Sequence, residues 1–253
     1  MKLATIILAA GQGKRMKNPD KSKVMFEMNG KPMIEYVINL AIRIHSDFII
    51  PIVGHQKQSV IDFLTMEYKE LFSGRDNRIK FAHQDEQLGT GHAIMQTQEH
   101  LKNFEGNVLI LSGDVPLLKY ETVTKFMDYH NSNNFKASLI SAIFENPYGY
   151  GRIIRDKDGT FTDIIEEKDS SAEVRKIKEI NSGIYIVDCK LLFEALKTIK
   201  TDNSQGEYYL TDIFDYFRDN GIKTGAIPVD NSIEITGVNT IEQLKELEKN
   251  FGE

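Results

Sequence analysis

The sequence is poor in the features that several broad classes of protein require. It has one cysteine, Cys189, in 253 residues, which excludes an intramolecular disulfide and a cysteine-based zinc site and fits a reducing, cytoplasmic setting. It has no excess of positive charge, because 31 Lys and Arg stand against 37 Asp and Glu, for a formal net charge of −6. Proteins that hold nucleic acid by bulk charge are usually basic, so a nucleic-acid partner is not expected.

Long apolar runs are also missing. No run approaches the ~18 residues of a membrane-spanning helix, so no membrane partner is expected. The apolar residues 3–10 are followed by a basic segment with five cations from Lys14 to Lys23 and no small-residue cleavage pattern. This continuation argues against a secretory signal peptide. We predict instead a buried first strand that enters a basic loop.

The rest of the chain alternates between β-rich apolar runs and segments with helical periodicity. The predicted strands are residues 4–8, 48–53, 79–82, 108–112, 137–144, 151–155, 184–187 and 223–228. The predicted helices are residues 32–44, 58–71, 93–101, 121–131, 190–198, 210–220 and 240–251. Such alternation is typical of a mostly parallel sheet covered on both faces. With no linker or repeat in the sequence, we predict one α/β domain over residues 1–253.

The most informative segment follows the first predicted strand. Residues 6–16 read IILAAGQGKRM, a buried strand that leads into small residues and then into cations. Small side chains let backbone amides approach a phosphate, and Arg15 and Lys23 add positive charge nearby. The Rossmann fingerprint fails because Met16 replaces its third glycine, and the Walker A pattern fails because its glycines lie further apart. A plain strand–loop turn with solvated charges is the alternative interpretation.

The strings LAAGQGKRM and DKSKVMFEMNGKPMIEYV resemble the opening signature of the sugar-nucleotide pyrophosphorylases, a nucleotidyltransferase superfamily. The resemblance implies the nucleotide-diphospho-sugar transferase fold, a Rossmann-like, mixed and mostly parallel sheet with helices on both faces. It also implies that Arg15 and Lys23 are catalytic. The sequence departs from the family at Ser22, where proline usually precedes the lysine. The loop residues implied to bind the nucleotide are Leu8, Ala9, Ala10, Gly11 and Gly13.

A second motif, HQDEQLGTGHA, covers residues 83–93. The amides of Gln84 and Gln87 offer the paired donors and acceptors that reading a base edge requires. A loop with Thr90 as a helix N-cap is the alternative. The string resembles a motif of the N-acetylglucosamine-1-phosphate uridylyltransferases, where it surrounds the uracil. The resemblance implies that Gln84, Gly89 and Thr90 bind the nucleotide.

A carboxylate follows the predicted strand at residues 108–112. Asp114 would lie at the carboxyl edge of the sheet, where α/β proteins bind ligands and where a carboxylate can hold a hard cation. Isolated Gly-Asp pairs are also common turns. The string GDVPL resembles the metal-holding motif of the family, and GVN at residues 237–239 resembles the segment that supplies its second ligand. The resemblance implies Mg²⁺ on Asp114 and Asn239.

Three later strings, YGRI, IIEEKD and EINSGI, begin at Tyr150, Ile164 and Glu179 and resemble segments of the sugar site. Each string is weak alone, because such residues are most often turns or solvated charges. Together and in this order they imply sugar contacts. The residues implied to make those contacts are Gly151, Glu166 and Asn181.

The resemblance implies a Mg²⁺-assisted transfer of the uridylyl group of UTP to N-acetylglucosamine-1-phosphate, which gives UDP-N-acetylglucosamine and pyrophosphate. This product feeds cell-wall and surface-glycan synthesis. The nucleotide-binding part would span about residues 1–115 and the sugar-binding part about residues 116–239, before the helix at residues 240–251.

Other functions remain open at this point. One alternative is a pyrophosphorylase for another sugar-1-phosphate (glucose, galactosamine or N-acetylgalactosamine) or another nucleotide. A non-catalytic nucleotide-sugar sensor would be expected to lack Arg15, Lys23 or Asp114, yet all three are present. A glycosyltransferase would normally show a D-x-D metal motif, which the GDVP string is not.

The oligomeric state is also open. Many bacterial members of the family continue into a left-handed β-helix that carries acetyltransferase activity and trimer contacts. The hexapeptide repeat of such a domain does not occur in these 253 residues. Whether the chain acts alone or as the first domain of a longer protein does not follow from the pattern.

Overall fold

The computed structural model describes residues 2–16, 18, 20–73 and 76–249. Its strands are β1 (Leu3–Ala9), β2 (Glu27–Met28), β3 (Lys31–Pro32), β4 (Phe48–Val53), β5 (Ala82–His83), β6 (Asn107–Ser112), β7 (Ala137–Ile143), β8 (Arg152–Arg155), β9 (Phe161–Ile165), β10 (Glu179–Asp188) and β11 (Thr224–Pro228). Its helices are α1 (Met33–Arg43), α2 (Lys57–Glu67), α3 (Thr90–Met95), α4 (Gln98–Leu101), α5 (Tyr120–Ser132), α6 (Cys189–Leu196), α7 (Ile213–Asp219) and α8 (Ile241–Lys249). None of the helices in the described ranges is long and apolar enough to cross a membrane.

One mixed sheet organises the fold, in the order β11-β7-β10-β6-β1-β4-β5. The pairs of β1 with β4 and with β6 are parallel, as are β4 with β5 and β7 with β11. Strand β10 is antiparallel to β6 and β7. The chain leaves β1 toward β4 on one side, while β6 lies on the other. The carboxyl ends of the parallel strands β1, β4 and β6 therefore lie at one edge of the sheet, where α/β proteins bind ligands.

The two faces of the sheet are covered by different helices. Buried side chains of α3, α4, α6 and α7 pack on one face, and those of α1, α2 and α5 pack on the other. Each fully buried Leu, Ile or Phe side chain contributes roughly 1.5–3 kcal/mol. Because both faces are covered, the central strands are apolar along their length, which confirms the predicted doubly covered and mostly parallel sheet.

The second half of the chain adds the antiparallel part of the sheet. Strand β10 pairs with β6, β7 and β8, and β9 continues the sheet beyond β8. The register of β10 against β7 shifts between Asn181 and Tyr185, where Gly183 has a φ of +78°. The irregularity lets one strand serve both the central sheet and the β8–β9 extension.

Several predicted boundaries are wrong. The strand predicted over residues 79–82 is interrupted, because Ile79 forms an isolated parallel bridge with Ile49 and β5 itself begins only at Ala82. The predicted strand at residues 184–187 is longer and starts at Glu179. The sequence pattern did not locate the β2–β3 hairpin or β9, because these strands are short and carry little apolar alternation.

Helix ends also differ from the prediction. The segment predicted as one helix over residues 93–101 forms two short helices, α3 and α4, with Gln96 and Thr97 between them. The helix predicted over residues 210–220 begins with a 3-10 turn and becomes α-helical at Ile213. The C-terminal helix α8 ends its described part at Lys249, so Phe251, the predicted end, lies outside the described residues.

Candidate functional site

A cavity of about 310 Å³ opens at the carboxyl ends of β1, β5 and β6. Its walls come from five segments of the sequence: the loop after β1, the turn at Lys23, the segment from β5 into α3, the end of β6, and the segment at Glu207. Nine of the predicted site residues line the cavity. They are Leu8, Ala9, Ala10, Gly11, Lys23, Gln84, Gly89, Thr90 and Asp114.

The loop after β1 is held close against the turn that carries Lys23. Gly13 has a φ of +59°, and a Cβ built there would lie 2.8 Å from the Cβ of Lys23. A side chain at this position would therefore be both strained and obstructed. The loop then closes into a 3-10 turn, Lys14–Met16, whose Met16 is buried against the β2–β3 region. Gly13 thus lies behind the cavity wall and shapes it.

Four polar side chains meet at one end of this cavity. The Lys23 ammonium donates to Oδ2 of Asp114 and to Oδ1 of Asn239, the second at 2.8 Å. Arg15 Nη2 donates to the same Asn239 oxygen at 2.9 Å. These four residues, from the first and last fifths of the chain and from the end of β6, are called the cation cluster below. The fold thus brings together both predicted catalytic residues and both predicted metal ligands.

The cation cluster contains two oxygen atoms of the kind that a metal ion binds. A carboxylate oxygen of Asp114 and an amide oxygen of Asn239 already converge on one positively charged atom, the Lys23 ammonium. Both are hard oxygen donors of the kind that Mg²⁺ prefers. Within the described residues no group of three or more His, Cys, Asp or Glu side chains is placed to hold a metal. Two protein oxygens would leave the other positions to phosphate and water, which is common for Mg²⁺.

The segment between β5 and α3 forms the opposite wall. Gly89 has a φ of +109°, and a Cβ built there would lie 2.5 Å from the backbone oxygen of Tyr208. The Gln84 side-chain amide donates to the Gly89 carbonyl at 3.0 Å and so holds the loop's shape. Thr90 is not the N-cap of α3, because the helix begins at Thr90 with Gly89 as its cap. The Thr90 hydroxyl instead accepts the amide of Leu210 at 3.1 Å.

The residues predicted to bind the sugar lie together on the β8–β10 side of the sheet. A Cβ built on Gly151 would lie 3.3 Å from Oε2 of Glu166, so the glycine gives this carboxylate room. The backbone amide of Asn181 donates to the Gly151 carbonyl at 2.9 Å. Its side chain donates to the Tyr185 hydroxyl at 2.6 Å. Glu166 lines a second cavity, of about 550 Å³.

Comparison with known proteins shows the family of the chain. The family model described as "Nucleotidyl transferase" matches residues 4–232, which cover most of the sheet and both cavities. The chain belongs to the nucleotidyl transferase family. It is therefore a nucleotidyltransferase enzyme, and the superfamily that the opening motif resembles is confirmed.

Similar curated proteins extend beyond the length of this nucleotidyltransferase. It is 47% identical over 247 residues to the bifunctional protein GlmU of Caldanaerobacter subterraneus subsp. tengcongensis, covering 98% of this chain and 51% of that protein. It is 45% identical over 244 residues to the bifunctional protein GlmU of Acetivibrio thermocellus, covering 96% and 50%. The chain thus spans about half the length of these relatives.

A solved structure shows the same fold at low sequence identity. The structure of a UDP-glucose pyrophosphorylase complexed with UDP-glucose superposes with a TM-score of 0.77 and 18% identity, covering 99% of this chain and 98% of that one. The nucleotide-diphospho-sugar transferase fold implied by the first motif is confirmed by this likeness.

Acidic groups of the nucleotidyltransferase accumulate beside Glu166, one of the residues predicted to bind the sugar. Burial raises the pKa of Glu166, although a hydrogen bond from the Thr211 hydroxyl lowers it in part. Burial and then the neighbouring Asp215, Glu166, Asp169 and Asp163 raise the pKa of Asp212 to about 7. Crowded carboxylates in a half-buried position resist ionisation, and such perturbed groups often mark functional sites.

Tyr150 connects the two halves of the site. Burial raises the pKa of its phenol, and the nearby Asp114 carboxylate raises it further, while Arg15 opposes the effect. Tyr150 therefore interacts electrostatically with two residues of the cation cluster, and it directly precedes Gly151, one of the residues predicted to bind the sugar.

Sequence reasoning missed part of the cavity wall. Val24, Ala93, Ser112 and Glu207 also line the nucleotide-side cavity. For Ser112 a signal existed, because it ends the same strand that positions Asp114. Glu207 reaches the cavity through the main-chain hydrogen bonds of Tyr208 with Leu88 and Gly91, a contact between distant segments.

Proposed function

We propose that this nucleotidyltransferase transfers the uridylyl group of UTP to N-acetylglucosamine-1-phosphate and releases pyrophosphate. The observation that carries the proposal is the cation cluster at the end of a cavity bounded by the loop after β1 and the Gln84–Thr90 segment. Identity of 45–47% with bifunctional GlmU proteins over nearly the whole chain supports it, together with the acid-rich pocket around Glu166.

In the proposed reaction an oxygen of the sugar phosphate attacks the α-phosphorus of UTP while the bond to the β-phosphate oxygen breaks. The attacking phosphate is already an anion, so no base has to remove a proton and no covalent enzyme intermediate is needed. The protein has to align two polyanions that repel each other. Backbone amides of residues 9–13 and the guanidinium of Arg15 would bind the β- and γ-phosphates, which helps pyrophosphate to leave.

Lys23 would offset the negative charge between the α-phosphate and the leaving group, because Lys23 lies directly against the loop after β1. Asp114 and Asn239 would hold Mg²⁺, which would supply charge neutralisation of the phosphates. Gln84, Gly89 and Thr90 would surround the base. Gly151, Glu166 and Asn181 would bind the sugar, with the carboxylate of Glu166 accepting from sugar hydroxyls.

A pyrophosphate-release assay tests this function. Four nucleoside triphosphates are crossed with the 1-phosphates of N-acetylglucosamine, glucose, galactosamine and N-acetylgalactosamine in the presence of Mg²⁺. The highest kcat/KM is expected for UTP with N-acetylglucosamine-1-phosphate. No product from this pair would overturn the proposal, and a higher kcat/KM with another sugar phosphate would reassign the acceptor.

The metal assignment is tested in the same assay. Asp114→Ala is expected to abolish turnover while the circular dichroism spectrum and melting behaviour stay those of a folded protein. Asp20→Ala is a matched control, because this exposed carboxylate lies in the loop between Arg15 and Lys23. Near-normal turnover of Asp114→Ala would contradict the assignment of Asp114 to the metal.

A further inference from the structure

A buried guanidinium lies behind the sugar-side residues. The Arg152 side chain is 2% exposed and donates from Nη2 to Oε2 of Glu167 at 2.7 Å. Its Nη1 donates to the carbonyl of Tyr150. We call Arg152, Glu167 and this carbonyl the Arg152 clamp. It joins the start of β8 to the 3-10 turn Glu167–Asp169 that follows β9.

Glu167 extends the clamp to the loop before β8. Its Oε2 accepts the amide of Gly149 at 3.4 Å, and its Oε1 lies 3.5 Å from Nε of Arg175. One carboxylate thus contacts both the loop 146–151 and the charged segment after β9. Gly149, Glu167 and Arg175 line the cavity of about 550 Å³ that also contains Glu166.

The two segments joined by the clamp carry two of the proposed sugar-binding residues. Gly151 lies between Tyr150 and Arg152 in the chain, and Glu166 directly precedes Glu167. Oε2 of Glu166 lies 3.3 Å from the position of a Cβ built on Gly151. The third proposed residue, Asn181, is fixed to the same loop through its amide and the Gly151 carbonyl. A shift of either segment would therefore change the spacing between Gly151 and Glu166.

Stability alone is a poor explanation for the clamp. Burying an ion pair costs about as much desolvation free energy as its attraction returns, and apolar replacements are often neutral or stabilising. Within the described residues, Nε of Arg152 is buried without a hydrogen-bond partner, which is a further cost. The planar guanidinium of Arg152 instead determines the relative position of two segments, since its nitrogens donate to a carboxylate on one segment and to a carbonyl on the other in a defined geometry.

We propose that Arg152 and Glu167 are positioning residues for the acceptor sugar, acting through Gly151 and Glu166. The proposal rests on the proposed function, because it assigns the clamp to the sugar-phosphate side of that site. It predicts a larger effect on the sugar phosphate than on the nucleotide, since the clamp contributes no residue to the lining of the nucleotide-side cavity.

Steady-state kinetics of Arg152→Met and Glu167→Gln test the clamp. KM for the sugar phosphate is expected to rise about 10-fold, which corresponds to ~1.4 kcal/mol of lost binding free energy, while KM for UTP changes less than about twofold. Glu167→Gln keeps the shape of the side chain, so it carries the test if Arg152→Met does not fold. Arg152→Lys should recover only part of the affinity, because an ammonium lacks the planar guanidinium geometry.

A matched control lies on the same strand. Arg155 also makes an ion pair, in which its Nη2 donates to Oε1 of Glu179 at 2.6 Å, but its side chain is 27% exposed. This pair contacts neither Gly151 nor Glu166 in the described hydrogen bonds. Arg155→Met is expected to lower the melting temperature without changing either KM. Equal rises in KM for the sugar phosphate in Arg152→Met and Arg155→Met would overturn the proposal. Equal rises in KM for both substrates in Arg152→Met, or no rise for either substrate, would overturn it as well.

Hydrogen exchange tests the Arg152 clamp independently of which substrate the enzyme uses. Amides of residues 148–151 are expected to exchange faster in Glu167→Gln than in the wild-type protein, and unchanged in Arg155→Met. If the wild-type protein uses none of the sugar phosphates, the proposed function fails, while the exchange still reports on the clamp. Unchanged exchange in Glu167→Gln would overturn the clamp itself, whatever the substrate.

Discussion

The Lys23 ammonium places a positive charge where Mg²⁺ is proposed to bind. It bridges Asp114 and Asn239, the two side chains proposed to bind Mg²⁺. The lysine side chain is 14% exposed and that of Asp114 is 19% exposed, so water screens this contact only in part. A divalent cation that binds these oxygens has to displace the ammonium, and nucleotide phosphates offer the ammonium another partner.

Lys23→Met tests whether the lysine ammonium competes with a metal ion for these oxygens. Without nucleotide, Mn²⁺ should bind this variant about tenfold more tightly than the wild-type protein, a difference of ~1.4 kcal/mol. Turnover should fall, because the same ammonium is proposed to act at the α-phosphate. Mn²⁺ binding is measured by electron paramagnetic resonance. Lys21→Met is the control, since Lys21 contacts Glu27 at 3.8 Å and the Phe26 ring and does not belong to the cation cluster. Equal Mn²⁺ affinity in all three proteins would contradict the competition.

Asp212 provides a second residue-scale prediction, through pH. Its pKa of about 7 in the fold lies above the ordinary value of 3.8, chiefly through burial and then through Asp215 and Glu166. The folded state therefore keeps a proton that the unfolded state loses near pH 4. This contribution to stability is fully present below about pH 4 and is lost as the pH rises through about 7.

Asp212→Asn should remove this pH dependence. At pH 8 the variant should melt a few degrees above the wild-type protein, because about 1 kcal/mol corresponds to roughly 2–4 °C for a chain of this size. The difference should shrink toward pH 5. Asparagine is as good an N-cap for α7 as aspartate. Asp219→Asn, at the exposed end of α7, should not show the effect. A pH-independent difference would contradict the assigned cause.

At the scale of elements, the site depends on how loops are held between strands and helices. The segment before α3 is fixed by main-chain hydrogen bonds of Leu88 and Gly91 to Tyr208. Gly89 lies between these bonds with a φ of +109° and with the Tyr208 backbone where its Cβ would be. Neither the strain nor the contact can be relieved by a side-chain rotation.

Gly89→Ala is therefore expected to destabilise the fold by about 1–3 kcal/mol and to lower the melting temperature. Gly11→Ala is the matched control, because Gly11 lines the same cavity, has no positive φ, and has no atom within 4 Å of a built Cβ. Gly11→Ala should melt like the wild-type protein but raise KM for UTP, since its methyl group would occupy ligand space. Equal melting temperatures of the two variants would contradict the close approach of Gly89 to Tyr208.

At the scale of the whole molecule, one sheet carries both parts of the site. Strand β10 bears Asn181 and pairs with β6, which leads to Asp114. Asn239 comes from beyond the last strand and returns to the same edge of the sheet. Ligand binding should therefore stabilise the chain as a unit.

UTP with Mg²⁺ is expected to raise the melting temperature of the whole chain. A ligand at about 100 times its Kd adds ~2.7 kcal/mol, which corresponds to roughly 5–10 °C at this chain length. In Asp114→Ala the part of this rise that requires Mg²⁺ should be lost, as measured by differential scanning calorimetry with UTP alone and with UTP and Mg²⁺. An unchanged Mg²⁺-dependent rise would contradict the role given to Asp114.

Local patterns predicted much of this architecture. Apolar runs located β1, β4 and β6, and helical periodicity located α1 and α5, because burial on both faces of a sheet leaves a strong signal in the sequence. The small residues after β1 and the Gly-Asp pair after β6 indicated the ligand-binding edge. Short elements such as β2, β3 and β9 were not located, because a few residues carry too little periodicity.

The sequence by itself determined the fold class, the family resemblance and the kind of residues available for phosphate chemistry, because these depend on local composition and order. Only the tertiary structure decided that Lys23 bridges Asp114 and Asn239, that Glu207 reaches the nucleotide-side cavity, and that Arg152 is buried behind the sugar side. Those contacts join residues up to 216 positions apart. The packing of strands and helices determines such distances, and no local pattern encodes them.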